Sequence, residues 1–178
     1  MFNELMKKRR SVRVFAKRPV EAEKIDAIIE AALRCPSGRG ARPWTFVVIT
    51  DKVLLEKLSV AKPQGAAFVK DAPVAVVVCG DPSVSGLWVE DCSIAAVTMQ
   101  YAALALGLGS RWAQMKGNNF KEGTTSTQYI AQILGLPESL TVQCIIAIGY
   151  PGEEIVPYRK DELRFDSVSY NRYGQKKA

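Results

Sequence analysis

The sequence predicts one α+β domain built in three layers, with helices on both faces of a central sheet. Three observations carry that expectation. The chain has 178 residues, the size of a single domain able to bury a core. Three stretches, Trp44 to Thr50, Pro73 to Gly80 and Thr141 to Gly149, are apolar runs rich in β-branched residues. Such runs mark strands covered on both sides. Segments with helical spacing of apolar residues lie between them.

The elements follow in order. A short helix is expected from Asn3 to Lys8, then Arg9-Arg10-Ser11-Val12-Arg13 and an extended stretch to Pro19. From Glu21 to Arg34 the apolar residues Ile25, Ile28, Ile29, Ala32 and Leu33 recur on one helical face. Cys35-Pro36-Ser37-Gly38 ends that helix. The strand at Trp44 follows, then a helix from Lys52 to Val60, a Gly/Pro-containing loop and a short helix near Ala67. After the strand at Pro73, a long helix spans Leu87 to Leu106, stopped by Gly107 and Gly109. A strand near Ser110 to Met115, a helix from Thr125 to Leu134 and the strand at Thr141 complete the series.

Cys92 to Gly109 holds no charged residue in eighteen positions, long enough to raise a membrane span. Ser93, Thr98 and Gln100, the many alanines and the lack of a second such stretch favour a central core helix. No apolar run follows the basic opening residues, so no signal peptide is read. Cys35, Cys79, Cys92 and Cys144 form no C-x-x-C pair, which fits reduced thiols in a cytoplasmic protein and no metal site. There is no histidine, which excludes Ser-His-Asp and Cys-His nucleophiles and most zinc catalysis. An enzyme with this composition works without imidazole, and a bound organic cofactor could carry the chemistry instead. From Pro151 onward the chain is polar and aperiodic. It still carries Ile155, Val156, Tyr158, Leu163, Phe165, Val168, Tyr170 and Tyr173, and such a tail is expected to wrap a partner subunit.

Seven of the twelve residues from Lys7 to Arg18 are basic, and the whole chain has a formal net charge of +6, which leaves −1 for the remainder. Basicity this local does not make the broad face that nucleic acid needs. Arg9, Arg10 and Arg13 bracket Ser11, and guanidinium forks with a hydroxyl suit one phosphate. A solvated basic surface fits the same spacing. In the second informative stretch, Cys35 to Val48, Ser37, Gly38 and Gly40 expose backbone amides to a ligand, and Arg39 and Arg42 add positive charge.

These two stretches, in order with Gly65 to Asp81, Trp88 to Trp112 and Leu140 to Glu154, resemble the nitroreductase family of FMN flavoproteins across nearly the whole chain. The resemblance implies a three-layer α/β/α sandwich around a mixed, mostly antiparallel sheet, with residues 1–150 as the FMN-binding domain. It implies a homodimer, with the extension at 151–178 exchanged onto the partner. Arg9, Arg10, Ser11 and Arg13 match the motif that holds the FMN phosphate and part of the ring. Pro36, Ser37 and Gly38, with Gly40 beyond them, match the loop that reaches the flavin from the other subunit. Gln64 and Gly65 match a position near the ribityl chain and pyrimidine edge. Trp112, Ala113 and Gln114 match the strand whose backbone lies by the flavin ring, and Arg159 and Lys160 a basic pair that closes on the phosphate.

The implied activity is reduction of nitroaromatic, quinone or related small-molecule acceptors by NADH or NADPH. Hydride passes through flavin N5 in a ping-pong exchange, with no catalytic side chain named. A low-turnover flavin carrier or sensor is the alternative. No nucleic acid and no membrane is expected as a partner. The chain departs from the family where Gly40 replaces a frequent Asn and Arg42 a frequent Gln. An arginine in this loop offers positive charge to the flavin's N1–C2 edge. Little sequence separates Trp112 from the helix at Thr125, so a helical cover over the site is expected to be missing.

Overall fold

A computed structural model describes residues 2–177. Helix α1 spans Phe2–Lys8, α2 Ala22–Leu33, α3 Lys52–Ser59, α4 Trp88–Ala105 and α5 Ser126–Leu134. Strands are β1 Trp44–Ile49, β2 Val74–Gly80, β3 Gly109–Gln114, β4 Asn119–Lys121, β5 Thr124–Thr125 and β6 Thr141–Gly149. The main sheet runs β1-β2-β6-β3, and every neighbouring pair is antiparallel. One parallel bridge, Ser11 to Ser110, adds the N-terminal segment to the β3 edge.

Both faces of the sheet are buried, as the unbroken apolar runs require. Every residue of β2 is buried. Val74, Val76, Val78, Cys144, Ile146 and Ile148 face α2 and α4. Ala75, Val77, Cys79, Ile145 and Ala147 face α3, α5 and the short 3-10 turn Ala67–Asp71. Successive side chains of a strand point to opposite faces, so a strand apolar at every position fills two cores. The three-layer α+β expectation therefore stands.

The helix ends have local causes. Asp51 caps α3 by accepting from Leu54 N–H at 2.8 Å. Thr125 and Gln128 form a reciprocal capping box on α5, and Gly135 closes that helix in the left-handed conformation. Among the described residues no helix is long and apolar enough to cross a membrane. Instead α4 is a core helix, with Cys92, Ala95, Ala96, Met99 and Ala103 buried on the sheet side. Its other side leaves Ile94 and Val97 exposed beside Phe2 and Met6 of α1. The four cysteines are all free and buried. Burial pushes the Cys79 and Cys92 thiols up to about 12, and Cys144 is raised well above its ordinary value by the same cause. These thiols are protonated near neutrality and inert as nucleophiles.

The sequence reading missed the β4–β5 hairpin. Between β3 and α5 the chain makes this small hairpin and no helix. Among the described residues, the tail beyond Gly152 holds only two short 3-10 turns, at Lys160–Glu162 and Phe165–Ser167. Val156, Tyr158, Leu163, Phe165 and Val168 of the tail stay exposed in the single chain.

Candidate cofactor site

The arginine stretch is an anchored turn. After α1 the chain crosses the end of the sheet from β3 toward β6. Val12 N–H donates to Ser110 O at 3.0 Å, Ala16 N–H to Tyr150 O at 2.8 Å, and Gly152 N–H to Val14 O at 2.8 Å. Val12 and Phe15 point inward and are buried in the core. With those two side chains committed, Arg10, Ser11 and Arg13 line a cavity of about 180 Å³. Arg10 lies over the Tyr158 ring, 4.0 Å from its centroid. Arg9 is half-buried and does not line this cavity.

Glycines permit that crossing. A Cβ on Gly109 would lie 2.1 Å from a Val12 methyl, and one on Gly149 2.6 Å from Pro73. Real Cβ contacts do not come so close, so only glycine lets the turn lie against the sheet end. Two acids line the cavity, Glu153 and Glu154. Of these, the turn is tied to Glu153. Its carboxylate accepts from the backbone N–H groups of Arg13 and Val14, the latter at 3.0 Å. The Arg13 N–H, then that of Val14, holds this carboxyl below its ordinary range, with the Arg13 and Arg111 charges adding to the effect.

Strand β3 leaves the turn at Ser110 and carries the next matched residues. It is an edge strand, so its outer side is open beyond the bridge from Ser11 among the described residues. Trp112 packs into the α4 layer and donates its indole N–H to Gln114 Oε1 at 3.0 Å. Ala113 is buried in the opposite layer. What β3 can offer a ligand at these two positions is therefore backbone. Arg111 lies over Phe68, 4.1 Å from the ring centroid. That contact ties the segment after Gln64 and Gly65 to this strand. Gly65 has φ +78, with the Lys62 amine beside it, and burial lowers the basicity of that amine.

The loop at Pro36 to Gly40 stands elsewhere. Gly38–Gly40 forms a 3-10 turn in which Arg39 has φ 54, Gly40 φ 69 and, just beyond, Arg42 φ 50. Two arginines in the left-handed region store strain, and such strain concentrates at functional loops. Asp91, buried in the first turn of α4, holds the loop by accepting from Gly38 N–H at 2.8 Å. Its second oxygen has no partner among the described residues. Ser37 Oγ accepts from Arg42 N–H at 3.0 Å. Replacing Asp91 with Ala strands the Gly38 N–H and is expected to cost about 1–3 kcal/mol. Asn, which keeps an acceptor, should recover part of that loss in urea melts.

Register shows that one chain does not bring these two parts together. The loop feeds Trp44, which pairs with Gly80 at one end of the sheet. The arginine turn sits on Ser110, beside Gly109 and its partner Gly149 at the other end. Six residues of strand, about 20 Å, separate those ends. Arg159 and Lys160 also stay away from the cavity. Arg159 pairs with Asp161 at 3.0 Å, and neither residue lines the cavity. Asp91, Glu153 and Arg111 were missed by sequence reasoning. Asp91 had one signal: with Glu90 it is one of two acids heading a helix that carries no further charge.

A model of the nitroreductase family matches residues 6–68 and 61–150. The chain belongs to the nitroreductase family. It is 40% identical over 173 residues to a protein of Methanothermobacter thermautotrophicus provisionally named NADH dehydrogenase/NAD(P)H nitroreductase, across 96% of this chain and 86% of that one. It is 31% identical over 181 residues to the NADH dehydrogenase of Thermus thermophilus, across 84% and 86% of the two chains. The solved FMN-dependent nitroreductase of Clostridium difficile R20291 superposes with a TM-score of 0.93 at 40% identity, over 95% of this chain and 98% of that one. The nitroreductase fold, with its antiparallel sheet between two helical layers, is thus shared with a solved structure over almost the full length.

Proposed function

We propose that this protein is a homodimeric, FMN-dependent oxidoreductase that uses NADH or NADPH to reduce a small-molecule acceptor, a nitroaromatic, a quinone or a related compound. The observation that carries this reading is the convergence of Arg10, Ser11 and Arg13 on one cavity at the root of the open edge strand β3. The cavity fits the phosphate end of FMN: it offers two guanidinium groups and one hydroxyl, and of its two acids, Glu153 and Glu154, the first is already engaged by backbone N–H groups. The FMN-dependent nitroreductase at 40% identity supports the same cofactor here.

Residues 1–150 form the flavin-binding domain and 151–178 the extension that embraces a second copy. Two observations favour the second copy. The matched loop and the arginine turn lie at opposite ends of one sheet, so a site that uses both takes the loop from another chain. The α1–α4 face bears Phe2, Met6, Ile94, Val97 and Tyr101 around a groove of about 540 Å³, and the tail leaves its own apolar residues uncovered. Arg159 and Lys160 join a phosphate site in this reading only with the tail laid down in the dimer. The reduced cysteines fit the cytoplasm.

FMN held by these residues would supply the redox chemistry, hydride exchange at N5 between a nicotinamide and an acceptor. The chain's own residues bind and orient. Arg10 and Arg13 would neutralise the phosphate, Ser11 would donate to it, and the β3 backbone would lie beside the ring. Ser37 and Gly38 approach from the partner, and Arg39 and Arg42 bring positive charge to the same loop. No side chain is assigned as a general acid: with no histidine in the chain, the proton would come from water, and a backbone N–H near N5 would serve only as a hydrogen-bond donor.

The strained loop with Gly40 and Arg42 also favours a second reading, a flavin carrier or sensor of low turnover. One anaerobic addition of NADH or NADPH to the FMN-loaded protein separates the two. Rapid bleaching of the flavin absorbance is the expected result, and flavin that stays oxidised with both donors would sink the reductase reading.

A further inference from the structure

We propose that Glu153 is a positioning residue for the phosphate end of the cofactor: its carboxylate clamps the backbone of the arginine turn and sets the arc from which Arg10, Ser11 and Arg13 reach the cavity. The inference rests on the FMN reading above and deepens it.

Glu153 is far from the turn in sequence, 140 residues beyond Arg13, yet one carboxylate oxygen meets two consecutive amides, those of Arg13 and Val14. The neighbouring backbone bonds of the turn stop short of these donors. Val12 N–H is taken by Ser110 and Ala16 N–H by Tyr150. Glu153 therefore supplies the acceptor for the middle of the turn, where Arg13 projects. Its own place is fixed on both sides. Before it, Gly152 N–H donates to Val14 O, and a Cβ on Gly152 would lie 3.1 Å from Ala16 N. After it, Ile155 packs on the core. A one-atom acceptor bridging two adjacent N–H groups fixes the peptide plane between them, and with it the direction of the Arg13 side chain.

The carboxylate also lines the cavity with Arg10, Ser11 and Arg13, and its neighbour Glu154 lines it too. Position and charge then act with opposite signs on a bound phosphate. The clamp favours binding by holding the arginines, while the negative charge opposes it. Both amides already donate to the carboxylate and the Arg13 and Arg111 charges flank it. Its charge is therefore largely answered inside the protein, and the clamp is the larger effect.

Titration of wild type, Glu153→Gln and Glu153→Ala with FMN and with riboflavin, followed by flavin fluorescence, tests this. Riboflavin lacks the phosphate. Expected for Glu153→Ala is an FMN affinity lower by ~10-fold or more, with riboflavin affinity unchanged, since the Arg13 bond to phosphate is a charge-assisted one. Glu153→Gln keeps an acceptor oxygen and should stay within ~3-fold of wild type on FMN. Amide exchange at Arg13 and Val14 in the cofactor-free protein should quicken in Glu153→Ala alone. Equal losses for FMN and riboflavin would overturn the proposal, since they mark a general structural role. So would tighter FMN binding by both variants, or unchanged exchange. A wild type that takes up no FMN sinks the cofactor reading and this proposal with it, whereas wild-type binding matched by Glu153→Ala sinks the proposal alone.

Discussion

Replacing Arg10 and Arg13 together with alanine is expected to weaken FMN binding by ~10²–10⁴-fold while leaving riboflavin binding nearly untouched. Each guanidinium lost removes a hydrogen bond to a charged group, about 1.5–3 kcal/mol, and every 1.4 kcal/mol is tenfold in affinity. The two side chains line one cavity and carry none of the turn's burial, which falls to Val12 and Phe15. Stability should therefore change little. Arg10 does stack on Tyr158, a contact on an exposed tail residue that contributes about 0.5–1 kcal/mol at most. Equilibrium titration with the two flavins and a thermal melt on the same samples check the prediction. Equal loss of both flavins would place the arginines outside the phosphate site.

Gly109→Ala should strike the same site by another route. The added Cβ would stand 2.1 Å from a Val12 methyl and 3.2 Å from Pro151, in a buried crossing with little room to give. Overpacking of this kind costs about 1–3 kcal/mol. Here it also pushes Val12 off β3 and lengthens the Val12 to Ser110 bond, so the arginine turn shifts and FMN affinity falls with stability. Gly107→Ala is the control, two residues away. Gly107 has φ +77 and nothing within 4 Å of its Cβ position, so its substitution carries only the backbone cost of a left-handed residue, about 1–2 kcal/mol. Urea melts paired with FMN titrations should show both variants destabilised and Gly109→Ala alone impaired in binding.

Much of this was legible because local chemistry set it. The strand Thr141–Gly149 is a mostly apolar run, interrupted by Gln143, and appears with those same ends. The spacing of Ile25, Ile28, Ile29 and Ala32 made α2 readable, since one helical face must meet the core. The arginine stretch stood out by composition, but its spacing fitted a solvated surface as well as a phosphate site, and the buried anchors Val12 and Phe15 came only with the structure. The β4–β5 hairpin was not, because its residues are polar and its support is tertiary: Phe120 stacks on Tyr129 of α5 at 3.9 Å. Asp91 to Gly38 and Glu153 to Arg13 span 53 and 140 residues, and no local pattern encodes such pairings. Family likeness, more than spacing, tied the Pro36–Gly40 loop to the arginines. Sheet register then places the two at opposite ends of one chain's sheet.

Sedimentation of the FMN-loaded protein, followed at the flavin absorbance, tests the central claim most directly. The claim is that arginines of one copy and the loop of another enclose one FMN. Flavin moving with a two-chain particle, one FMN per chain, is the predicted result. Flavin carried by a single-chain particle, or left behind by a folded protein, would contradict it.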